Sequence, residues 1–549
     1  MAIKRYVANA DTTVTNAFGA DLRTRGTGSN MGASDSLEVF SIYGQVVSGS
    51  NATKTSELSR ILVNFPVGNM ETDRSNGDLP ASGSVEFYLR MFNAEHPLSL
   101  PQNFTLSASA ITREWEEGFG LDMEGYTDIT KEGTGASWMH ASKGASWTRV
   151  GGDYDLWPTS SFEQAFVKGT EDLEMNITSL VEQWLYTANA DVGDKSSERY
   201  GIGIYLTSSQ EAYFSGSSEA DGTYRVISGT PIFHNLTGSK QSYYTKKFFA
   251  RGSEYFFKRP IIEARWDSST KDNRGNFYLS SSLAPAADNL MTLYLYNFVR
   301  GQLKNIPGLG GRKTPKYNAG GDIKNTKLLV TIFSGSSDNT APSGEKLAFS
   351  IGGGTQVDLD TFTTASWFAT GSYSASFAFT GSSTLTKIWD VWYTSSVGAA
   401  FPSTQNQFFT GTVNIENLRG QNHNPNQTYA ISMPNFRQKY SNSETARFRL
   451  SARKKDWNPT IYTKATNTAE TSTVEDAYYK IYRVKDDYTV IDYGTGSSNH
   501  TRLSYDTSGS FFDLDTSLLE DGYMYGVKYV FYENGKYTEQ SDTFKFKVE

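Results

Sequence analysis

The densest acidic group beside an aromatic ring is Glu114-Trp115-Glu116-Glu117. Glycoside hydrolysis needs two carboxyl groups about 5–9.5 Å apart across a sugar. Alternating strand positions would put Glu114 and Glu116 on one face while Trp115 enters a core. Asp513, Asp515, Glu520 and Asp521 offer the oxygen ligands that Ca²⁺ takes, but not in the spacing of an EF-hand loop; a solvated strand end is preferred. His96, His140, His234, His423 and His500 show no HxH or HExxH spacing and read as surface or turn residues. No Gly-x-Ser-x-Gly nucleophile elbow is present. Gly308-Leu309-Gly310-Gly311-Arg312-Lys313-Thr314 lacks the register of a phosphate-binding loop, and no helix pattern follows it. No catalytic residue, cofactor site or metal site is therefore assigned, and the chain is expected not to be an enzyme.

Aromatic rings can also bind without reacting, since Trp and Tyr faces stack on pyranose rings. Trp138, Trp157, Trp367, Trp389 and Trp392 are candidates by type. In Ile388-Trp389-Asp390-Val391-Trp392-Tyr393, alternation puts Trp389, Val391 and Tyr393 on one face and Trp392 on the other. Trp389 is read as core; the exposure of Trp392 stays open.

The elements that must carry these residues are strands. Aromatics make up 14% of the 549 residues and glycine contributes 49. With abundant Thr, Ser and Asn, that composition reads as β-structure with many turns rather than a helical bundle or a Rossmann-type enzyme. Alternation marks strands at Val85–Phe92, in Gly201-Ile202-Gly203-Ile204-Tyr205-Leu206, in Lys327–Phe333 and in Tyr523–Phe531. The last is followed by Asn534-Gly535, a preferred two-residue type I′ hairpin turn because both positions need positive φ, and then by a final strand through Phe544, Phe546 and Val548. One short helix is expected over Asn176–Thr187. Ser179 and Glu182 have capping-box spacing there, and Leu180, Val181, Trp184 and Leu185 share one face.

With no cysteine, disulfide scaffolds and thiol chemistry are excluded. A net charge of −8 gives no positive excess for phosphates, so no nucleic-acid partner is expected. No apolar run of about 18 residues occurs, so no membrane span is expected. Lys4 and Arg5 are not followed by an apolar stretch, so the N-terminus does not read as a signal peptide. The Asn-x-Ser/Thr triplets at Asn51, Asn103, Asn176, Asn235, Asn426 and Asn499 then read as chance. Polar breaks at 305–321, 418–428 and 463–475 mark exposed loops, the first two near domain boundaries. The expected organisation is all-β, with several β-sandwich domains in series: 1–267, 268–425 and 426–549, the last Ig-like.

Seven pieces in order give residues 1–267 a family resemblance. They are Ala10–Val14 with Asn30-Met31-Gly32, Ser59–Pro66, Val85–Phe92, Trp115-Glu116-Glu117-Gly118 with Gly144–Trp147, Asn176–Trp184, Arg199–Ile204, and Lys258–Ala264. Together they resemble the DNRLRE family, jelly-roll β-sandwich modules of bacterial surface and secreted proteins often grouped with carbohydrate-binding modules. The resemblance implies packing and turn roles for these residues, and no catalytic ones. Apparent insertions at 121–142 and 208–241 depart from the family pattern. The whole chain is also similar in style to virion structural proteins of large tailed phages, through Ala250–Pro260, Ser282–Asn289 and Leu503–Asp513. That similarity implies a virion component made in a host cytoplasm and placed at the neck, tail or baseplate periphery, or on the head. Its partners would be other virion proteins and symmetric copies of itself, with a glycan as the alternative ligand.

Overall fold

Along Glu86–Met91, Phe87, Leu89 and Met91 point to one side and are fully buried, while Glu86, Tyr88 and Arg90 point away. That two-residue period, repeated through the chain, makes the computed structural model of this protein all-β. It describes residues 2–17, 28–43, 56–96, 102–121, 135–186, 193–211, 243–307, 309, 326–335, 346–352, 359–379, 385–396, 406–416, 424, 426–457, 461 and 471–549. Two α-helices occur among them, Val67–Asn76 and Thr178–Trp184, and neither is long or apolar enough to cross a membrane.

The chain divides into two compact units, 2–267 and 268–549. The first is a sandwich. Its smaller sheet has the strand order Ile3–Val7, Ile261–Arg265, Glu86–Met91, Leu173–Asn176, antiparallel throughout. The larger sheet runs Ser161–Phe166, Phe104–Ile111, Ile202–Leu206, Ser56–Asn64, Ser36–Tyr43, Tyr243–Phe249, with Ala10–Thr15 also paired to Ser56–Asn64. Ile61, Val63, Leu106, Ile202 and Ile204 meet Phe87, Leu89 and Ile262 in the core between the sheets.

Interior charges help join this unit, Lys246 and Glu263 among them. Tyr243–Phe249 sends Lys246 inward, where it is 0% exposed. Its ammonium donates to Asn93 Oδ1 at 2.6 Å, Gly169 O at 3.0 Å and Glu171 O at 2.7 Å, so three donors meet three oxygens. Burial lowers its pKa to about 8. Glu263 lies beneath Arg5, Arg90 and Arg265 at 2.7, 3.1 and 2.7 Å. Burial opposes its ionisation, but the three guanidinium groups outweigh that and hold its carboxyl well below the usual range.

The helix at 178 corrects the capping-box expectation. Asn176 Oδ1 accepts the backbone N–H and the hydroxyl of Thr178, so the turn into the helix is already made before Ser179. Ser179 therefore sits inside the first turn and donates to Thr159 O, while Glu182 takes a bidentate pair from Arg74 at 2.6 and 2.7 Å. Leu180, Val181 and Trp184 are buried as expected. The helix Val67–Asn76 was not expected: only Val67 and Met70 are buried, too few to show a helical period. Pro66 before it and the left-handed Gly77 after it were the available boundary signals.

In the second unit, one sheet runs Phe277–Tyr278, Asn406–Glu416, Lys387–Ser396, Thr326–Phe333, Lys346–Leu347, and faces a three-stranded sheet of Met291–Tyr296, Ser372–Phe377 and Ser366–Ala369 across a common core. C-terminal to these lie a four-stranded sheet, Tyr429–Ser432, Thr445–Lys454, Gly509–Asp515, Ser504–Asp506, and a six-stranded one. The latter runs Lys439–Tyr440, Phe544–Val548, Met524–Glu533, Ala477–Arg483, Tyr488–Ile491, with Lys536–Glu539 on Met524–Glu533. Asn534 and Gly535 both have positive φ, 52° and 76°, and join Glu533 to its partner Lys536 as the Asn-Gly pair predicts. The groups on either side of residue 425 are stitched within one unit: Thr270 N–H donates to Ser504 Oγ, Asn273 to Tyr505 Oη and Asn276 to Glu475.

Asp390, 0% exposed, is the electrostatic pin of the middle sheets. It takes both Nη atoms of Arg274 at 2.7 and 2.6 Å, and Trp392 Nε1 at 2.7 Å. Arg274→Met strands a buried carboxylate and is expected to cost roughly 3–5 kcal/mol, much of it recovered by adding Asp390→Leu. A double-mutant cycle on the denaturant transition of 268–549 checks this; a single-variant loss below about 1 kcal/mol refutes it.

Candidate functional site

Along Ser56–Asn64 the sandwich core takes Ile61 and Val63, which leaves Leu58, Arg60 and Leu62 on the far face of the larger sheet. In a two-layer sandwich that face is open to a ligand. Here residues from the stretches 111–121 and 135–160 fold over it. Val14, Leu58, Leu62, Ile111, Ala136, Trp138, Ala141 and Trp147 form a second core there. Trp147 Nε1 donates to Ser137 O at 2.9 Å, and Trp115 Nε1 donates to Tyr200 O at 2.7 Å.

Arg60 lies in that cover. Its guanidinium is 5.4, 5.6 and 5.1 Å from the ring centroids of Trp138, Tyr154 and Tyr205. It makes a bidentate pair with Glu211 at 3.1 and 3.0 Å. Burial pulls its pKa down, but the Glu211 carboxylate outweighs burial and the guanidinium stays charged. Desolvation pushes the Tyr154 hydroxyl well above its ordinary value. With its donors spent on Glu211 and its faces on rings, Arg60 acts as a pin rather than as an acid or an anion receptor.

Beside this cover, five stretches distant in sequence meet. Asn30 donates to Glu117 O and Ala136 O, both at 2.7 Å, and accepts from the N–H groups of Gly32 and Gly120. Glu117 accepts the backbone N–H of Asp11 at 2.9 Å and a side-chain fork from Arg251. Arg251 N–H in turn donates to Asp11 at 2.5 Å. Desolvation raises the Asp11 pKa to about 7; the Glu117 charge adds to it, while the Arg251 hydrogen bond and charge pull the other way. Asp11 and Glu117 thus share one arginine, but Asp11 is 1% exposed and no sugar reaches between them.

The acid pair considered from sequence is not assembled. Residues 112–121 are not a strand, so the alternation that would have set Glu114 and Glu116 on one face is absent, and both are exposed. Glu117 is the member that meets a second carboxyl, and only a contact 106 residues away reveals it. The calcium candidates are dispersed: Asp513 pairs with Arg447, Asp515 caps the turn at 516–518, Glu520 pairs with Arg483, and Asp521 accepts from Asn442. His96 Nδ1 lies 2.9 Å from Ala94 O, and His500 Nδ1 lies 2.8 Å from Ser498 Oγ. His140 stands on the short hairpin strand His140–Ser142, and His234 and His423 lie outside the described residues. So do most of residues 308–314. Among the described residues, no three of His, Asp and Glu group as a metal site.

The tryptophans separate cleanly. Trp138, Trp389 and Trp392 are buried, and Trp392 faces the inter-sheet core. Trp389 on the opposite face is 6% exposed, so both faces of that strand are covered. Trp367 is half-buried with Nε1 donating to Asn305 Oδ1. Trp157 alone of these five stands in solvent, at 73% exposure.

No protein-family model matches the chain, and no curated protein matches it. Among solved structures, the native conformation of E. coli alpha-2-macroglobulin aligns with 98% of this chain at 9% identity and a TM-score of 0.11. The chain spans 23% of that protein's length, and a likeness at that score carries no argument.

Because the folded pKa of Asp11 is raised, its contribution to stability is full below its ordinary pKa and is lost as pH rises through about 7. Asp11→Asn keeps the acceptor for Arg251 N–H and cannot ionise. The melting temperature of the unaltered chain is expected to fall relative to this variant between about pH 5 and pH 8. A constant difference over that range refutes it.

Proposed function

We propose that the chain is a non-enzymatic structural component of a tailed-phage virion. It would sit at the neck or collar, the tail or baseplate periphery, or on the head, and act through protein–protein interfaces. The observation that carries this reading is where the large apolar side chains are left in water. Phe119, Phe256, Leu283 and Phe298 are 78, 67, 96 and 62% exposed; they lie in an irregular segment, a one-turn 3₁₀ helix, a turn and a short hairpin, respectively. Phe298–Val299 pairs with Gln302–Leu303 through a tight turn with positive φ at Arg300 and Gly301, and presents Phe298, Val299 and Leu303 outward. Exposed aromatics of this kind are what interfaces bury.

Further support comes from candidate acids: Glu117, Asp513 and Glu520 pair with arginines, Asp515 caps a turn and Asp521 accepts from Asn442. Two of the segments similar to virion proteins also lie at the surface: Tyr255, Phe256 and Phe257 follow Ala250–Glu254, and Leu283 belongs to Ser282–Asn289. The third, Leu503–Asp513, is a mostly buried hairpin. Mass spectrometry of purified particles, with the native mass of the isolated chain, tests the proposal. The expected result is presence at a fixed copy number per particle and a symmetric oligomer in isolation. A monomer absent from particles overturns it.

One observation favours a second reading, a carbohydrate-binding module: Trp157, with Leu156 at 60% exposure, is a solvent-facing ring on the first unit. Under that reading, glycan-array binding disappears in Trp157→Ala; binding that survives the change removes it.

A further inference from the structure

The outward face of the C-terminal six-stranded sheet collects tyrosines and lysines. Along Ala477–Arg483 and Met524–Glu533, Tyr479, Ile481, Val527 and Tyr529 turn inward and are buried, so Lys480, Tyr482, Lys528 and Tyr532 share the other side, with Tyr478 and Val530 on that side covered. The register sets Tyr482 opposite Gly526 and Lys480 opposite Lys528, and on the next strand Tyr532 opposite Tyr537.

A Cβ on Gly526 would stand 2.5 Å from Cε1 and Cζ of Tyr482. The Tyr482 ring therefore lies flat on the backbone of the neighbouring strand, with its other side, half-exposed, turned outward. The Tyr532 and Tyr537 rings, 37 and 45% exposed, are 4.5 Å apart. Between these two aromatic platforms lies a polar seam. Glu539 accepts from Lys528 Nζ at 3.0 Å and from Tyr493 Oη at 3.1 Å, and Lys480 Nζ is 3.3 Å from Asp492.

We propose that this face is a binding site for an extended polysaccharide. A pyranose has an apolar C–H side that lies on an aromatic ring and a hydroxyl edge that takes hydrogen bonds in both directions. Tyrosine rings supply the first, and an exposed carboxylate beside lysines supplies the second. Interfaces between proteins enrich aromatics but deplete Lys and Glu at their centres. Here Lys528 and Glu539 stand between the tyrosines, which fits a hydroxyl-rich ligand better than a protein. The platforms lie on a sheet face rather than in a pocket, which suits several residues of a chain rather than one terminal sugar. This inference is independent of the structural role proposed above and of Trp157.

The test uses the full chain on an array of neutral and uronic-acid oligosaccharides, with native mass measured alongside. Binding to a defined subset is expected, weakened roughly tenfold or more by Tyr482→Ala and by Tyr537→Ala and largely kept by Tyr482→Phe, since the ring and not the hydroxyl makes the platform. Tyr537 stands on the exposed strand Lys536–Glu539, so its variant reports on binding even where Tyr482→Ala perturbs the sheet. Trp157→Ala should leave this binding unchanged. Failure to bind any glycan, binding indifferent to both alanine variants, or a wild-type oligomer that either variant converts to monomer overturns the proposal; the last outcome would make the face a protein interface.

Discussion

A charged group taken out of water must bring its counter-charge or its hydrogen-bond partners with it, and the first unit is organised around that requirement. Arg60 leaves solvent with Glu211, Arg74 with Glu182, and Glu263 with three arginines, while Lys246 leaves it with three oxygens and no carboxylate. Each arrangement joins segments remote in sequence: Arg60 and Glu211 are 151 residues apart, and Arg5 and Glu263 are 258 apart. The hydrophobic core supplies the bulk of the stabilisation, but apolar contact is indifferent to small shifts of register. A two-pronged guanidinium–carboxylate pair is not. These pins specify which loop lies over which strand, and the cover on the far face of the larger sheet is the result.

That cover changes what the sandwich can do. A sheet face that would otherwise be available to a ligand carries its own tryptophan-lined core, with Trp138 and Trp147 sealed inside. Large apolar side chains are instead left in water elsewhere, at Phe119, Phe256 and Leu283, and exposed tyrosines stand on the C-terminal sheet.

Local patterns read well from the sequence. The Asn534-Gly535 turn requires two positive φ angles, and no contact elsewhere in the chain is needed to know it. The strand at 86–91 reveals itself by strict alternation. What escaped was set at long range. The capping box at Ser179 and Glu182 had the right spacing, yet Arg74, 108 residues away, competed for Glu182 and won. The meeting of Asp11, Glu117 and Arg251 leaves no local trace, because nothing in the sequence around any one of them names the other two. Trp389 and Trp392 on opposite faces of one strand suggested one wet ring, but alternation reports which sides a strand has and not how many are covered. The tyrosine platform was hidden in a strand read for its buried residues: the same Met524–Glu533 segment carries Gly526, Lys528 and Tyr532 on its other side.

Lys246 offers a use that its burial makes possible. An amine sealed inside a sandwich and clasped by three oxygens cannot meet an acylating reagent in the closed protein. It becomes reactive only when the strand Tyr243–Phe249 separates from the turn that holds Gly169 and Glu171. The speed at which this one side chain is acylated would then time the opening of that edge, a clock already wired into the fold that needs no introduced label.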